Sequence, residues 1–357
     1  MKKRIALLLS MIMVGVTIFT GCSKPNETVT KDSNQVTLEP NKEVTPEATL
    51  EPTVEATPVV EKLDINIAAL KGPTAMGLVH VINESEQGNT TNNYNLTVAG
   101  AADEITAGII KGDYPIATVP CNLASVLYAK SEGKIKVAGI NTLGVLYIVE
   151  TGDTIQSIED LRGKTIYSTG KGTTPEFTLN YLLTANGIDP QKDVTIEYNT
   201  EATEVAAMLS KTENAIAMLP QPYVTTVMMN NDKVRIALDI TKEWEAISDD
   251  STVVTGVVVV NAKFLEEHED AVKAFLDEYQ RSVAYVNEEI TESAALIEKY
   301  GIIKQAVAVK ALPYCNIVLL RNDEMKQKVE AYLKVLYDQN PAAVGKTMPD
   351  DAFYYVN

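Results

Sequence analysis

The sequence predicts an α/β fold built from two successive units of strands and helices. Short runs rich in β-branched and aromatic residues alternate with segments in which apolar residues recur at helical spacing. Strands that are separated by helices of this length indicate parallel pairing, because a parallel crossover needs a long connection. The length of 357 residues is enough for about two domains of roughly 150 residues each.

The first predicted unit contains four strands joined by three helices. Its first strand alternates apolar and polar side chains, and Gly72-Pro73 then breaks the extended pattern. Asn122 is placed to cap the helix that follows the third strand. The strands are predicted at 63–69, 94–98, 114–119 and 135–140, and the helices at 75–82, 102–111 and 123–130.

The second predicted unit repeats this pattern after a short capped helical turn at 157–161. Pro175 suits the first turn of its first long helix, where the missing N–H would have no partner. Residues 252–260 form a nearly continuous β-branched run, which predicts a strand buried on both faces. The remainder, 263–357, is predicted to be mainly helical. The strands of this unit are predicted at 164–167, 194–198, 215–219 and 234–238.

Charge and histidine content exclude several function classes. With 48 acidic and 31 basic side chains the formal charge is −17, so nucleic acid would be repelled. Two histidines, His80 and His268, are too few for a histidine-rich metal centre, and no metal or other cofactor is expected. No Gly-x-Ser-x-Gly sequence is present. We therefore assign no catalytic residues and expect that the protein is not an enzyme.

The N-terminal segment predicts export and lipid anchoring. A Lys-Lys-Arg sequence at 2–4 precedes an apolar run at 5–19, which is typical of a signal peptide. The run ends in Phe-Thr-Gly-Cys, which resembles a bacterial lipobox, so we expect cleavage after residue 21 and a lipid such as palmitate on Cys22. A plain secretory signal with an incidental cysteine is the alternative. The expected location is extracytoplasmic, anchored to the cell membrane through Cys22.

Residues 22–62 are predicted to be a disordered tether between this anchor and the folded body. The segment is rich in proline, threonine and glutamate and contains few large apolar residues. Such a composition cannot bury enough surface to offset the entropy of ordering the chain. The signal peptide is accordingly placed at 1–21 and the folded body from residue 63 onward.

Loops at the ends of the predicted strands are the candidate binding sites, since ligands of open α/β sheets lie outside the carboxyl ends of the strands. They are 71–74, 120–122 and 168–174. In the third loop two glycines allow close approach, and Lys171 adds a positive charge beside a helix N-terminus, which favours an anionic or strongly polar group. An ordinary glycine-rich turn with a solvated lysine is the alternative.

Two further side chains at predicted strand ends have open roles. Gln221, between two prolines, carries an amide that can both donate and accept hydrogen bonds. Its alternative role is that of an exposed residue at a helix start. Cys121 lies in a candidate loop, although a small buried side chain is the commoner role. In an exported protein Cys121 and Cys315 could form a disulfide, which the sequence leaves open.

Three segments resemble the substrate-binding proteins of bacterial ABC importers. The sequence Ser-Ile-Glu-Asp-Leu-Arg-Gly-Lys-Thr-Ile at 157–166 resembles the start of the second domain in one branch of that family. That branch includes proteins for nitrate, aliphatic sulfonates, taurine and thiamine precursors. Residues 261–275 resemble the return into the first domain, and 349–354 resemble the usual C-terminal end. The likeness extends over about 63–357.

The resemblance implies a type II periplasmic-binding-protein fold with two lobes, each a mostly parallel sheet flanked by helices, joined by two crossing segments. Lobe I would comprise 63–150 and 253–357, and lobe II 151–252. The crossings would lie near 149–153 and 250–255. Such proteins close on a ligand by hinge motion. The implied partners are a small-molecule ligand and an ABC permease with its ATPase subunit, and the protein itself would be a monomer.

The resemblance also implies which residues contact the ligand. The family's cleft positions correspond to Pro73, Thr74, Cys121, Asn122, Gly170, Lys171, Gly172, Thr173, Thr174, Gln221 and Asn316. Lys71 and Lys171 are the obvious charges in these loops, and both are positive. We therefore expect a small polar or anionic organic ligand that is sulfonate-, nitrate- or taurine-like.

Three alternatives remain open at this point. A pyrimidine or thiamine-precursor ligand would need an aromatic residue to stack on, and Tyr223 and Trp244 follow loops of the second lobe. The same fold occurs in an iron-dependent, pyrimidine-synthesising enzyme that needs histidines, whereas only His80 lies near a candidate cleft here. A surface adhesin or signalling receptor could also reuse the fold. A permease and an ATPase encoded beside this protein would argue against that reading.

Overall fold

A computed structural model of the chain describes residues 62–200, 202–248 and 251–357. These residues form two β-sheets flanked by helices, which confirms the predicted α/β class. The predicted signal peptide, Cys22 and nearly all of the predicted tether lie outside the described residues. Within the described ranges, no helix has both the length and the apolar character needed to cross a membrane.

Eleven strands are found in the described residues, and most lie within a few residues of their predicted positions. They are β1 (Asp64–Leu70), β2 (Asn93–Ala99), β3 (Ile116–Pro120), β4 (Ile135–Leu143), β5 (Leu146–Glu150), β6 (Thr165–Thr169), β7 (Thr195–Asn199), β8 (Ile216–Pro220), β9 (Arg235–Asp239), β10 (Val254–Asn261) and β11 (Ile317–Leu320).

The α-helices of the described residues cover both sheets. They are α1 (Pro73–Met76), α2 (Val79–Glu86), α3 (Asp103–Lys111), α4 (Cys121–Lys130), α5 (Thr174–Ala185), α6 (Ala202–Lys211), α7 (Tyr223–Asn230), α8 (Ile240–Glu245), α9 (Ala262–Glu267), α10 (Glu269–Glu288), α11 (Ile290–Lys299), α12 (Gln305–Ala311) and α13 (Asn322–Gln339). Short 3₁₀ turns lie at Ile158–Leu161, Leu312–Tyr314, Pro341–Val344 and Asp351–Phe353.

The first sheet has the strand order β2-β1-β3-β10-β4-β11 and the second has the order β7-β6-β8-β5-β9. β1 pairs parallel with β2 and β3, and β6 pairs parallel with β7 and β8. β10 is antiparallel to both of its neighbours, and so is β5. Both sheets therefore contain parallel and antiparallel pairs, whereas a mostly parallel sheet was expected in each lobe. The reason is that β5 and β10 each begin at the edge where the parallel strands end.

Two strands, β5 and β11, are missing from the sequence-based prediction. All five residues of β5 are buried, and only Gly144 and Val145 separate this strand from β4. Because β5 belongs to the second sheet, the chain leaves the first sheet at 144–145 rather than near 149–153. β11 has only four residues and follows helical turns, so it lies within the region 263–357 that the sequence predicts to be mainly helical.

The hydrophobic core extends from one sheet to the other around Trp244. Trp244 on α8 is fully buried and lies 4.2 Å from the ring centroid of Tyr181 on α5 and 5.7 Å from that of Tyr332 on α13. The Gln339 side-chain amide on α13 donates to the carbonyl of Phe177 on α5 at 2.9 Å. These contacts join helices of the two sheets. The predicted burial of β10 is also confirmed, since Val257 to Val260 are all buried.

Candidate functional site

The chain passes between the two sheets twice, first at 144–145 and again between α8 and β10. The carboxyl ends of the parallel strands in both sheets lie beside these two passages. Gly256 at the start of β10 pairs with Pro120 at the end of β3, and Leu146 pairs with Pro220 at the end of β8. The first passage is tightly packed: a Cβ atom on Gly144 would lie 1.9 Å from the Thr241 hydroxyl oxygen on α8 and 3.0 Å from Val253, which directly precedes β10. Only glycine fits at this point.

Asn316, a predicted ligand contact, supports the first passage. Its side-chain amide donates to the carbonyl oxygen of Gly144 at 2.6 Å, and its own carbonyl accepts from the N–H of Leu143 at 3.0 Å. Its φ of 44° lies in the left-handed region, which asparagine tolerates better than most residues. The side-chain NH₂ group of Asn316 is therefore already hydrogen-bonded to the Gly144 carbonyl.

Pro73 and Thr74 lie in the first turn after β1, at the predicted strand end. Thr74 is buried, and its hydroxyl donates to the carbonyl of Leu70 at 2.9 Å. Its carbonyl accepts from the Asn141 side-chain amide at 2.8 Å. A Cβ on Gly256 would come within 2.5 Å of the Thr74 methyl carbon, so this turn packs tightly against β10. Pro73 is half-buried beside it.

Cys121 and Asn122 both turn toward the body of the molecule. Cys121 is buried in the core, and this burial raises the pKa of its thiol. Burial raises the pKa of the Cys315 thiol to about 12. Both thiols are free and belong to different hydrophobic clusters, so the structure contains no disulfide between them. The Asn122 side-chain amide donates to the carbonyl of Ala343 at 3.4 Å.

The glycine-rich loop after β6 hydrogen-bonds largely to itself. Gly170 and Gly172 both have φ of 76°, and the Thr173 hydroxyl donates to the carbonyl of Gly170 at 2.6 Å. The backbone N–H of Gly172 donates to the carboxylate of Glu176, in the first turn of α5. Thr174, the first residue of that helix, is half-buried. The amide that could have bound an anion is thus already paired with a carboxylate of the protein.

Lys171, in the same loop, points toward an aromatic ring. Its ammonium nitrogen lies 5.9 Å from the ring centroid of Tyr198 on β7, and the lysine side chain is exposed. Burial, together with the nearby carboxylate of Glu176, raises the pKa of the Tyr198 phenol. The predicted cationic loop therefore contains its own anionic partner. The role of Lys171 in binding stays a prediction.

Gln221, at the end of β8, differs from these positions because one of its polar atoms has no partner. The side chain is only 2% exposed, and its carbonyl oxygen accepts from the N–H of Thr225 at 3.3 Å and from the Thr225 hydroxyl at 2.8 Å. The backbone N–H must donate, so the oxygen has to face it and the NH₂ group faces the other way. Within the described residues this NH₂ group has no hydrogen-bond partner.

The Gln221 side chain lines a cavity of about 430 Å³ between the two sheets. One wall comes from α7 and β9 of the second sheet, and the other from α12 and the following 3₁₀ turn of the first. The hydroxyl of Tyr147 on β5 donates to the carbonyl of Tyr314 at 2.9 Å across this junction. The lining residues are Gln221, Thr225, Met228, Met229, Ile236, Val309, Lys310, Pro313 and Tyr314.

The remaining sequence-based candidates lie away from this cavity. Trp244 is fully buried and its indole N–H donates to the Ser251 hydroxyl at 2.8 Å, so this candidate of the pyrimidine alternative has no face on which a ligand could stack. Tyr223 is exposed at the start of α7. His80 stacks on Tyr285 with ring centroids 3.8 Å apart, and burial lowers the pKa of its imidazole despite Glu84. The described residues contain no group of three His, Cys, Asp or Glu side chains that could hold a metal ion.

The predicted site residues therefore come together only in part. Of the eleven, Gln221 alone lines the cavity, while the others lie in neighbouring turns that are bonded to the protein itself. Thr225, Met228, Met229, Lys310 and Tyr314 were missed. The exposed methionine pair on a predicted helix was an available signal. Nothing in the sequence places α12 opposite α7.

Comparisons with known proteins agree with this architecture. The model of the family described as NMT1/THI5 like matches residues 125–292. No curated protein matches the chain. Among solved structures, an ABC transporter from Parabacteroides distasonis is similar with a TM-score of 0.68 and 23% identity, covering 83% of this chain and 99% of that one.

Two sulfonate-binding proteins have the same fold. The periplasmic aliphatic sulphonate binding protein from Escherichia coli gives a TM-score of 0.62 at 15% identity and covers 82% of this chain and 96% of its own. The alkanesulfonate-binding protein from Xanthomonas axonopodis pv. citri, bound to MOPS, gives 0.59 at 13% identity with 83% and 99% covered. The chain therefore has the periplasmic-binding-protein fold, and the resemblance found in its sequence is confirmed by the matching family model and by this fold.

Proposed function

We propose that the chain is the solute-binding receptor of an ABC-type importer. It captures a small polar or anionic organic molecule between its two lobes and delivers it to a permease that works with an ATPase subunit. The observation that carries the proposal is the junction itself: strand ends of two sheets meet at two short passages beside a 430 Å³ cavity. Solved proteins of this fold include importer components named for sulfonate binding.

The two passages support a hinge between the lobes. A Cβ atom on Gly144 would lie within 3.0 Å of Thr241 and Val253, and the Asn316 side-chain amide donates to the Gly144 carbonyl. Hinges concentrate backbone rotation in a few residues at the ends of elements. The division into two lobes remains part of this proposal. Because β5 belongs to the second sheet, the first crossing moves to 144–145, so that lobe I comprises 63–143 with 253–357 and lobe II comprises 146–252.

The test of this function is whether the full-length chain, purified under native conditions, carries a small molecule that is released on unfolding. Mass spectrometry of the released fraction identifies it, and native mass spectrometry of the intact protein also reports the proposed monomer. Finding no released molecule, together with no thermal shift from any sulfonate, oxyanion, pyrimidine or vitamin precursor, would contradict the function.

The proposal also includes lipid anchoring at Cys22, after removal of residues 1–21, with 22–62 as the tether. Labelled palmitate should be incorporated into the wild-type chain, which should sediment with membranes. The Cys22→Ser variant should incorporate no label and should be found in the soluble fraction. Equal labelling of the two chains would contradict the anchor and leave the binding function untouched.

A further inference from the structure

The cavity between α7 and α12 contains a buried hydrogen-bond donor that faces no acceptor. The NH₂ group of Gln221 is unpartnered in the described residues, whereas the oxygen of the same amide is fixed by Thr225. A buried polar group without a partner is unfavourable, and most native proteins avoid it. A ligand that brings an acceptor into the cavity would remove this cost.

Lys310, on the facing helix, makes the acceptor site suitable for an anion. It is exposed on α12 and forms no ion pair with any described residue, unlike Lys304 at the start of that helix, which pairs with Glu298 at 3.2 Å. The cavity walls contain no acidic side chain. One free ammonium group and one amide donor together select oxygen atoms that carry negative charge.

Most of the remaining lining is apolar, and three of its large side chains are exposed: Met228, Met229 and Tyr314. The helical spacing of Thr225, Met228 and Met229 places these side chains on one face of α7. The large apolar side chains exposed in the described residues are Tyr223, Met228, Met229, Tyr314 and Val356. All but Val356 lie on α7 or on the 3₁₀ turn that follows α12. Methionine side chains adapt to varied apolar shapes, and tyrosine offers a flat, rigid face.

Four other cavities of the described residues lack this combination. Cavities of about 410, 470, 120 and 580 Å³ lie elsewhere on the surface. None of them is lined by a residue that has a buried polar atom without a partner. The cavity at Gln221 falls within the usual range for small-molecule sites, roughly 300–1,000 Å³.

We propose that this cavity binds an organic anion with an apolar body, such as a medium-chain or aromatic carboxylate or sulfonate. The charged head lies between Lys310 and the Gln221 amide, and the body packs on Met228, Met229 and Tyr314. Lys310 and the two methionines are thereby specificity-determining residues. This inference rests on the proposed receptor function and adds to it the class of ligand.

Calorimetric titration of the full-length chain with four compounds tests the inference. Hexanesulfonate and hexanoate carry both an anionic head and an apolar body. Methanesulfonate lacks the body, and hexanamide lacks the charge. We expect one or both six-carbon anions to bind at least about tenfold more tightly than methanesulfonate and hexanamide. The stronger of the two identifies the head group. Equal affinity for hexanamide, or for methanesulfonate, overturns the inference.

Two matched variants on one helix assign the charge. Lys310→Gln should weaken binding of the preferred anion at least about tenfold and leave hexanamide unchanged. Lys304→Gln, which removes the same charge from the other end of α12, should leave both affinities within about twofold. Both lysines are exposed, and an exposed ion pair such as that of Lys304 with Glu298 contributes little to stability, so thermal unfolding should be nearly the same for the two variants. Equal anion affinity in Lys310→Gln and the wild type overturns the assignment.

The outcomes separate this inference from the function on which it rests. If the natively purified chain releases a small molecule but binds none of the four compounds, the receptor function stands and the ligand class is wrong. If the six-carbon anions bind and Lys310→Gln loses them, both are supported. If nothing is released and nothing binds, both fail.

Discussion

Two strand ends of the second sheet have different sequence signals and opposite chemistry. The loop after β6 contains two glycines, two threonines and Lys171, whereas the end of β8 contains only Gln221 between prolines. In the first, the Gly172 amide is paired with the Glu176 carboxylate. In the second, the buried amide of Gln221 retains an unpaired donor beside the 430 Å³ cavity.

The contrast shows that a loop rich in anion-binding groups is not necessarily an available site. Glycine amides, a helix N-terminus and a lysine attract any carboxylate within reach, including one four residues away on the same chain. An amide that lacks an acceptor after folding is a more selective sign of a ligand. The predictions below test this difference between internally satisfied polar groups and unsatisfied ones.

The largest effect should come from breaking an internally satisfied cluster. The Glu150 carboxylate is fully buried and accepts from the N–H groups of Thr154 and Ile155 and from the Arg235 guanidinium. Arg235→Ala leaves that charge buried without its cation. We expect a loss of about 3 kcal/mol in the free energy of unfolding, measured by urea denaturation.

A surface pair serves as the control for that measurement. Lys192→Ala removes an exposed ion pair with Asp189 and should leave the free energy of unfolding essentially unchanged. Comparable losses in the two variants would mean that Glu150 is not held by Arg235 as described.

Replacing Gln221 by glutamate should have the next largest effect, which is measured here on ligand binding. The substitution keeps an oxygen for the Thr225 N–H but turns the free donor into an anionic acceptor. We expect the affinity for hexanesulfonate at pH 8 to fall about 100-fold, or roughly 2.7 kcal/mol.

The pH dependence of Gln221→Glu provides its own check. Burial disfavours the ionised carboxylate, so the pKa of the new group should be raised above about 4.3. Below that pKa the carboxyl is neutral and can donate, and affinity should recover as the pH falls. The wild type should show no such recovery between pH 5 and pH 8, since a sulfonate stays ionised there. A pH-independent loss in the variant would argue for steric damage instead.

The smallest effect is expected at the glycine-rich loop. Glu176→Gln removes the negative charge at the start of α5 while keeping an oxygen for the Gly172 amide. The free energy of unfolding should decrease by about 0.5 kcal/mol, through the lost interaction with the helix dipole. Hexanesulfonate affinity should not change. A clear increase in affinity, measured by the same titration, would instead indicate that an anion binds beside Lys171.

Much of the fold is predictable because its strands have distinctive local patterns. β10 is evident from its β-branched run, and the alternation of strands and helices gives the α/β class. The mixed pairing of the sheets is not evident, because the direction of β5 depends on where the chain crosses between them. Only two residues separate β4 from β5, so no local signal marks the crossing.

The site is less predictable than the fold for a physical reason. Gln221 was identified because it ends a strand, which is a local property. Lys310 and Tyr314 are more than 80 residues further along the chain and belong to the other sheet's layer, so only tertiary packing brings them to Gln221. Trp244 is a candidate in the pyrimidine alternative because a position after a strand cannot distinguish a ring that faces a ligand from one that packs on Tyr181 and Tyr332.

The central claim is that the ligand's charge is recognised at Gln221 and Lys310 rather than at the glycine-rich loop. The most direct test is a titration of one anion, hexanesulfonate, into Lys310→Gln and Lys171→Gln under identical conditions. The structure predicts at least about tenfold weaker binding in the first variant and a change of less than about twofold in the second. The reverse order, with Lys171→Gln losing the ligand and Lys310→Gln retaining it, would contradict this account.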